Sequence, residues 1–186
     1  FFRRNLALAP QNPSRRFIIN ISGQGGVGKT RLLRRFRQVA GESGALTACT
    51  DETEGDIVAV MGRIAEESET QGQKLKAFAA RYEIFRQRRK EIGTDPEAPQ
   101  GFPTTIGRTL AKGGLHLARR APGVGLAADF VDEEALANLG GEFASYVARK
   151  IKNKDDLRLV LDPVEVLTPL LLTDLHRVAE KQTVAL

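Results

Sequence analysis

The stretch that decides the fold is Gly23-Gln24-Gly25-Gly26-Val27-Gly28-Lys29-Thr30, a full match to the pattern G-x-x-x-x-G-K-[ST]. Just before it, Phe17-Ile18-Ile19-Asn20-Ile21-Ser22 is a short apolar, β-branched run that stops at glycine. Such a run predicts a buried strand. Just after it, Leu32, Leu33, Phe36 and Val39 recur at helical spacing, with Arg31, Arg34, Arg35 and Arg37 largely on the other face. That predicts a helix from Arg31 to about Val39, ended by Gly41 and Gly44. Leu46-Thr47-Ala48-Cys49-Thr50 fits a second strand. The first 50 residues then spell strand–loop–helix–strand, the start of a parallel α/β sheet.

Each residue type in the loop has a physical reason. Glycines let backbone N–H groups turn inward around an anion, where side chains would obstruct them. A lysine at position 29 sets a fixed positive charge at the β- and γ-phosphates of a nucleotide, and the Thr30 hydroxyl is a ligand type for Mg²⁺. The following helix aims its positive end at the same anion. The candidate nucleotide-binding residues are therefore Gly23, Gln24, Gly25, Gly26, Val27, Gly28, Lys29, Thr30 and the adjoining Arg31, with Thr30 as the Mg²⁺ ligand. The expected ligands are ATP and Mg²⁺. No N-K-x-D guanine motif occurs, which favours adenine over guanine.

The wording of the loop narrows the class. Deviant loops of the ParA and MinD type carry a lysine where this chain has Gln24. The run Gly-Gln-Gly-Gly-Val-Gly-Lys-Thr-Arg-Leu-Leu over residues 23–33 resembles the loop of STAND signalling NTPases, the AAA+-related group that includes NACHT and NB-ARC modules. Downstream, Asn153 to Pro163 and Leu167-Thr168-Pro169-Leu170 look like bacterial multidomain ATP-binding proteins of that type, often fused to tetratricopeptide repeats. The resemblance implies a P-loop NTPase core of parallel α/β type, with a helical insertion between the second and third strands. It also implies a switch set by ATP binding and reset by slow hydrolysis, and partners among other domains of a parent chain or in self-association. Such proteins need a Walker B acid. Thr183-Val184-Ala185-Leu186 looks like the opening of that strand, ending before any acid, so the catalytic acid is expected outside these residues and the chain reads as a truncated fragment. Leu157 to Asp162 also ends an apolar run in an acid, but Asp162 reads better as a helix cap.

Residues 1–16 form a basic, irregular lead-in, and residues 17–186 the NTPase domain, with 57–180 as its mostly helical insertion. Ile57, Val60, Met61 and Ile64 mark one helix, and Leu75, Phe78, Tyr82 and Phe85 another. Pro96, Pro99 and Pro103 place a loop over 93–103, and residues 104–130 are glycine-rich without a clear period. A helix is expected over 132–152, and a further one from Asp162-Pro163-Val164-Glu165 to about Glu180, where Asp caps and Pro takes the first position. A third strand starts at Gln182.

Other groups were weighed against plainer roles. Asp51, Glu52 and Glu54 stand after the second strand, where they would meet Mg²⁺ or simply form a solvated acidic turn. The latter is favoured. His116 and His176 are too far apart in sequence for a metal motif, and the lone Cys49 reads as a small core residue. Lys74, Lys76, Arg81, Arg88, Arg89 and Lys90 give a basic helix face that fits either nucleic acid or solvent. A nucleic-acid-directed AAA+-like ATPase and an interaction module with a vestigial loop are the alternatives to the switch reading.

Composition sets the outer bounds. The chain has 28 basic and 23 acidic residues, a net charge of +5 and a pI near 9.6. No apolar run approaches the ~20 residues that a membrane helix needs. One cysteine allows no internal disulfide, so a cytoplasmic setting is expected.

Overall fold

The structure, a computed structural model, describes residues 1–51, 53–98 and 141–186. Seven helices and two short strands occur among them. In chain order these are α1 (Phe2–Leu6), α2 (Lys29–Glu42), β1 (Leu46–Thr47), α3 (Ile57–Thr70), α4 (Lys76–Gly93), α5 (Gly141–Lys150), α6 (Lys154–Leu161), α7 (Pro163–Ala179) and β2 (Val184–Ala185).

Capping chemistry fixes where most of the helices of the main body begin. The Asp56 carboxylate accepts from the Ala59 N–H at 2.7 Å and starts α3. Asn153 Oδ1 accepts from Asp155 and Asp156 at 2.9 and 3.1 Å, and the two carboxylates in that first turn of α6 suit the positive helix end. Asp162 closes α6 and opens α7, accepting from Glu165 N–H with Pro163 at the first position. α4 has no side-chain cap of its own. Its orphan donor at Phe78 is met by Asp174 Oδ2, 3.0 Å away on α7, and Asp174 is buried.

The core lies among these helices. Phe78, Phe85 and Ile92 recur every seven residues on α4, and Leu167, Leu171, Leu175 and Val178 line one face of α7. α4 packs against α7 and α6, and α3 packs against α7. Tyr82 stacks between Phe78 and Phe85, with ring centroids 5.2 and 6.3 Å away. Each large side chain buried here contributes about 1.5–3 kcal/mol.

The parallel α/β core expected from the sequence does not form. The described residues are mostly helical, and the sheet among them is two short parallel strands, with Leu46 opposite Val184 and Thr47 opposite Ala185. Phe17 to Ser22 is not a strand, and Phe17 and Ile18 are 74% and 89% exposed. One edge that such a strand could join is closed at β1. One edge bonds to β2 through Leu46 N–H to Thr183 and Ala48 N–H to Ala185. The other edge is filled by side chains. Gln71 accepts from Thr47 N–H at 3.0 Å and donates to Thr47 C=O at 2.6 Å, while Glu67 accepts from Cys49 N–H at 3.2 Å. No third strand can pair on that side without displacing them. The second strand is two residues long rather than five, and Cys49 is exposed rather than a core residue.

Residues 1–45 form a lobe that touches the main body through β1 and a few polar contacts. α1 lies on α2, with Phe2 stacked on Phe36 at 4.2 Å and Arg3 paired to Glu42 at 2.7 Å. Asn5 is buried and clasps the backbone of Arg16 with two hydrogen bonds of 2.8 Å. The lead-in expected to be irregular thus contains a helix and a fixed turn. Leu32 and Leu33 of α2 remain 42% and 49% exposed, because no sheet covers them. Val39 and Ala40 make the buried contact instead.

Further on, α5 covers the described part of the helix expected over 132–152, and α7 runs through Pro169 as one helix. α6 is an additional helix, so Leu157–Leu161 is helical and Asp162 is a cap rather than the end of a strand. The glycine-rich stretch 104–130 lies outside the described residues. No helix among the described residues is long and apolar enough to cross a membrane.

Candidate functional site

The loop over residues 23–30 leads directly into α2. Gly26 and Gly28 have φ of 79° and 91°, in the left-handed region where an L side chain is strained. Gly28 is the N-cap of α2 and offers no side-chain acceptor. The N–H groups of Lys29, Thr30 and Arg31 consequently meet no acceptor among the described residues, and a helix start of this kind presents partial positive charge outward. A Cβ built on Gly25, Gly26 or Gly28 meets nothing within 4 Å, so the loop is not packed against other described residues at these positions.

Lys29 is held inside this geometry. Its ammonium donates to the carbonyls of Gly23 and Gln24 at 2.8 and 2.7 Å, and no carboxylate pairs with it among the described residues. Thr30 is exposed at the first turn of α2. A shallow depression of about 430 Å³ beside the loop is lined by Gly26, Val27, Gly28, Arg31, Leu32 and Arg35. The structure therefore brings together Gly26, Val27, Gly28, Lys29, Thr30 and Arg31 at one helix start. Gly23 and Gln24 act through their carbonyls on Lys29. Arg35 and Leu32 were not among the residues singled out from the sequence. The signal for Arg35 was its position four residues after Arg31, one helical turn along the same face.

The other candidates fare differently. The Asp51 carboxylate accepts from the Thr53 hydroxyl and N–H at 2.6 and 2.8 Å, and these bonds hold it below its ordinary value. It is a turn-former, which is the solvated acidic reading. Glu52 lies outside the described residues, and His116 does too. His176 is exposed and sits 3.8 Å from Glu180. No group of metal-ligating side chains occurs among the described residues.

The basic face of α4 is largely neutralised. Arg81 and Arg88 share Asp156 at 3.0 and 2.9 Å, Arg89 faces Asp56 at 3.7 Å, and Lys74 pairs with Glu69 at 2.9 Å. Arg88 also pairs with Glu91 at 2.9 Å, and its guanidinium is pushed up by the hydrogen bonds to Glu91 and Asp156. Most of this stripe ties α4 to α6 and α3. Only Lys76 and Lys90 of the six lack a carboxylate partner among the described residues.

No protein-family model, curated protein or solved structure matches this chain. The site must be judged on its own chemistry.

Proposed function

We propose that this chain binds a Mg-nucleoside triphosphate, with ATP as the nucleotide, at Gly23–Thr30. The observation that carries the reading is the start of α2: an uncapped first turn, a left-handed glycine at its N-cap, and a lysine held by loop carbonyls with no counter-ion among the described residues. A helix start with free N–H groups and a fixed cation suits a chain of phosphates better than any uncharged ligand. Thr30 would hold Mg²⁺ by its hydroxyl, and Mg²⁺ supplies charge neutralisation between neighbouring phosphates. Lys29 would exchange its two carbonyl partners for phosphate oxygens, and Arg31 would flank the same anion. The assignment is of binding; turnover would in addition need an acid that activates water. In a larger parent protein, the same binding would bias a switch that slow hydrolysis resets. This reading needs the loop and α2, and does not need a multi-strand sheet.

Calorimetry with ATP and Mg²⁺ tests it. Charged hydrogen bonds of this kind are worth ~1.5–3 kcal/mol, so Lys29→Ala should weaken binding by about 10- to 100-fold. Thr30→Ala should remove the gain in affinity that Mg²⁺ gives. Unchanged affinity in Lys29→Ala would refute the assignment. GTP titrated alongside ATP decides the base.

A further inference from the structure

The charge of this protein is concentrated in one place. Residues 1–45 hold nine basic residues (Arg3, Arg4, Arg15, Arg16, Lys29, Arg31, Arg34, Arg35 and Arg37) and one acid, Glu42. The remaining residues carry 19 basic and 22 acidic side chains, so the excess of positive charge lies wholly in the N-terminal lobe.

That lobe is folded rather than a basic tail. Phe2 on Phe36 fixes α1 to α2, and the Asn5 clasp on Arg16 sets the turn against α1, one residue from Arg4. Arg31, Arg34 and Arg35 share a face of α2 by their spacing. Arg3 is matched by Glu42, Arg37 reaches Glu67 at 2.8 Å, and Arg35 lies 3.9 Å from Glu42. Arg4, Arg16, Arg31 and Arg34 are exposed and have no ion pair among the described residues. Beside them Phe17 is exposed, with the Arg15 guanidinium 5.5 Å from its ring centroid.

We infer that this lobe is a contact surface for single-stranded nucleic acid, with the phosphodiester backbone on Arg4, Arg16 and Arg34 and a base stacked on Phe17. Unpaired arginines release counter-ions when they meet a polyanion, and an exposed aromatic ring among them suits an unstacked base. On α2 the exposed Leu32 and Leu33 are flanked by Arg31, Arg34 and Arg35 rather than extended into the long apolar face that a lipid surface asks for. The inference is independent of nucleotide binding at the loop.

Fluorescence anisotropy of a labelled oligothymidylate with the whole chain, across a salt series, tests it. Arg4→Glu, Arg16→Glu and Arg34→Glu combined should weaken binding more than tenfold and flatten the salt slope by about 2, at ~0.7 per lost phosphate contact. Phe17→Ala should weaken it about tenfold, the scale of one stacked base. Lys76→Glu with Lys90→Glu, on the largely neutralised face of α4, should change affinity less than twofold. If the triple glutamate variant loses its helical circular dichroism, the triple alanine variant carries the same expectation of direction. Unchanged binding in the triple variant overturns the inference, as does an equal loss from the α4 pair. Complete competition by Mg-ATP, with binding abolished by Lys29→Ala alone, would place the contact on the loop and also overturn it. So would binding to phosphatidylserine vesicles without binding to the oligonucleotide. Because the arginines chosen lie outside the loop, calorimetry with Mg-ATP on the triple variant keeps the two assignments separable.

Discussion

Replacing Gly62 by alanine sets two known effects against each other where α3 meets α4. In a helix interior, alanine is favoured over glycine by roughly 0.5–1 kcal/mol, so an uncrowded site would gain stability. Gly62 is buried and crowded. A Cβ built there would lie 2.6 Å from Tyr82 Cζ and 2.9 Å from Cε1, well inside van der Waals contact. The Tyr82 ring is stacked between Phe78 and Phe85, so it cannot swing aside without breaking those contacts. Overpacking of this kind costs about 1–3 kcal/mol, which exceeds the propensity gain. The expected outcome is a net loss of about 1–2 kcal/mol, or a fall of about 2–8 °C in Tm for a chain of this size. Thermal unfolding followed by circular dichroism measures it. In a Tyr82→Ala background the same Gly62→Ala change should become neutral or stabilising, which isolates the clash as the cause. A Gly62→Ala variant more stable than the parent would refute the close approach of α3 to the Tyr82 ring.

Asp174→Ala should destabilise the protein by ~2 kcal/mol, because it leaves the Phe78 N–H buried without an acceptor. Chemical denaturation reads the loss, and amide exchange at the start of α4 should rise with it. Asp95 is held down to about 2 by the Lys150 ammonium at 2.9 Å, then by Tyr146 and the Glu97 N–H. Its folded value is below the ordinary 3.8, so its contribution is complete above about pH 4 and is lost as pH falls towards 2. Asp95→Asn should therefore be less stable than the parent near neutral pH and equal to it near pH 2, as urea unfolding at the two pH values will show.

Local signals were the ones legible in the sequence. Asp162-Pro163 gave the start of α7 because a cap acts on its own neighbours, and Leu46 and Val184 stood out as strand residues. The loop at Gly23–Thr30 was legible as a pattern, and its glycine geometry followed. What failed was non-local. Phe17–Ser22 has strand composition, but a strand needs a partner edge, and nothing in that run shows that Gln71 and Glu67 fill one edge of β1. The basic stripe on α4 read as open surface because its counter-ion, Asp156, comes from a helix far along the chain. α6 is hidden in the sequence because Leu157–Asp162 reads as an apolar run ending in an acid, although Asn153 is a serviceable cap signal.

Gln71 lies along the edge of β1 that β2 leaves open. Its side-chain amide imitates a peptide group, offering Thr47 both the acceptor and the donor that a neighbouring strand would supply. With Cys49 N–H taken by Glu67, that margin of the sheet is finished, and it gives no template for another chain to copy. Val184, whose backbone groups point away from β1 in a parallel ladder, marks the other margin. A single glutamine and a single glutamate thereby close the sheet past β1.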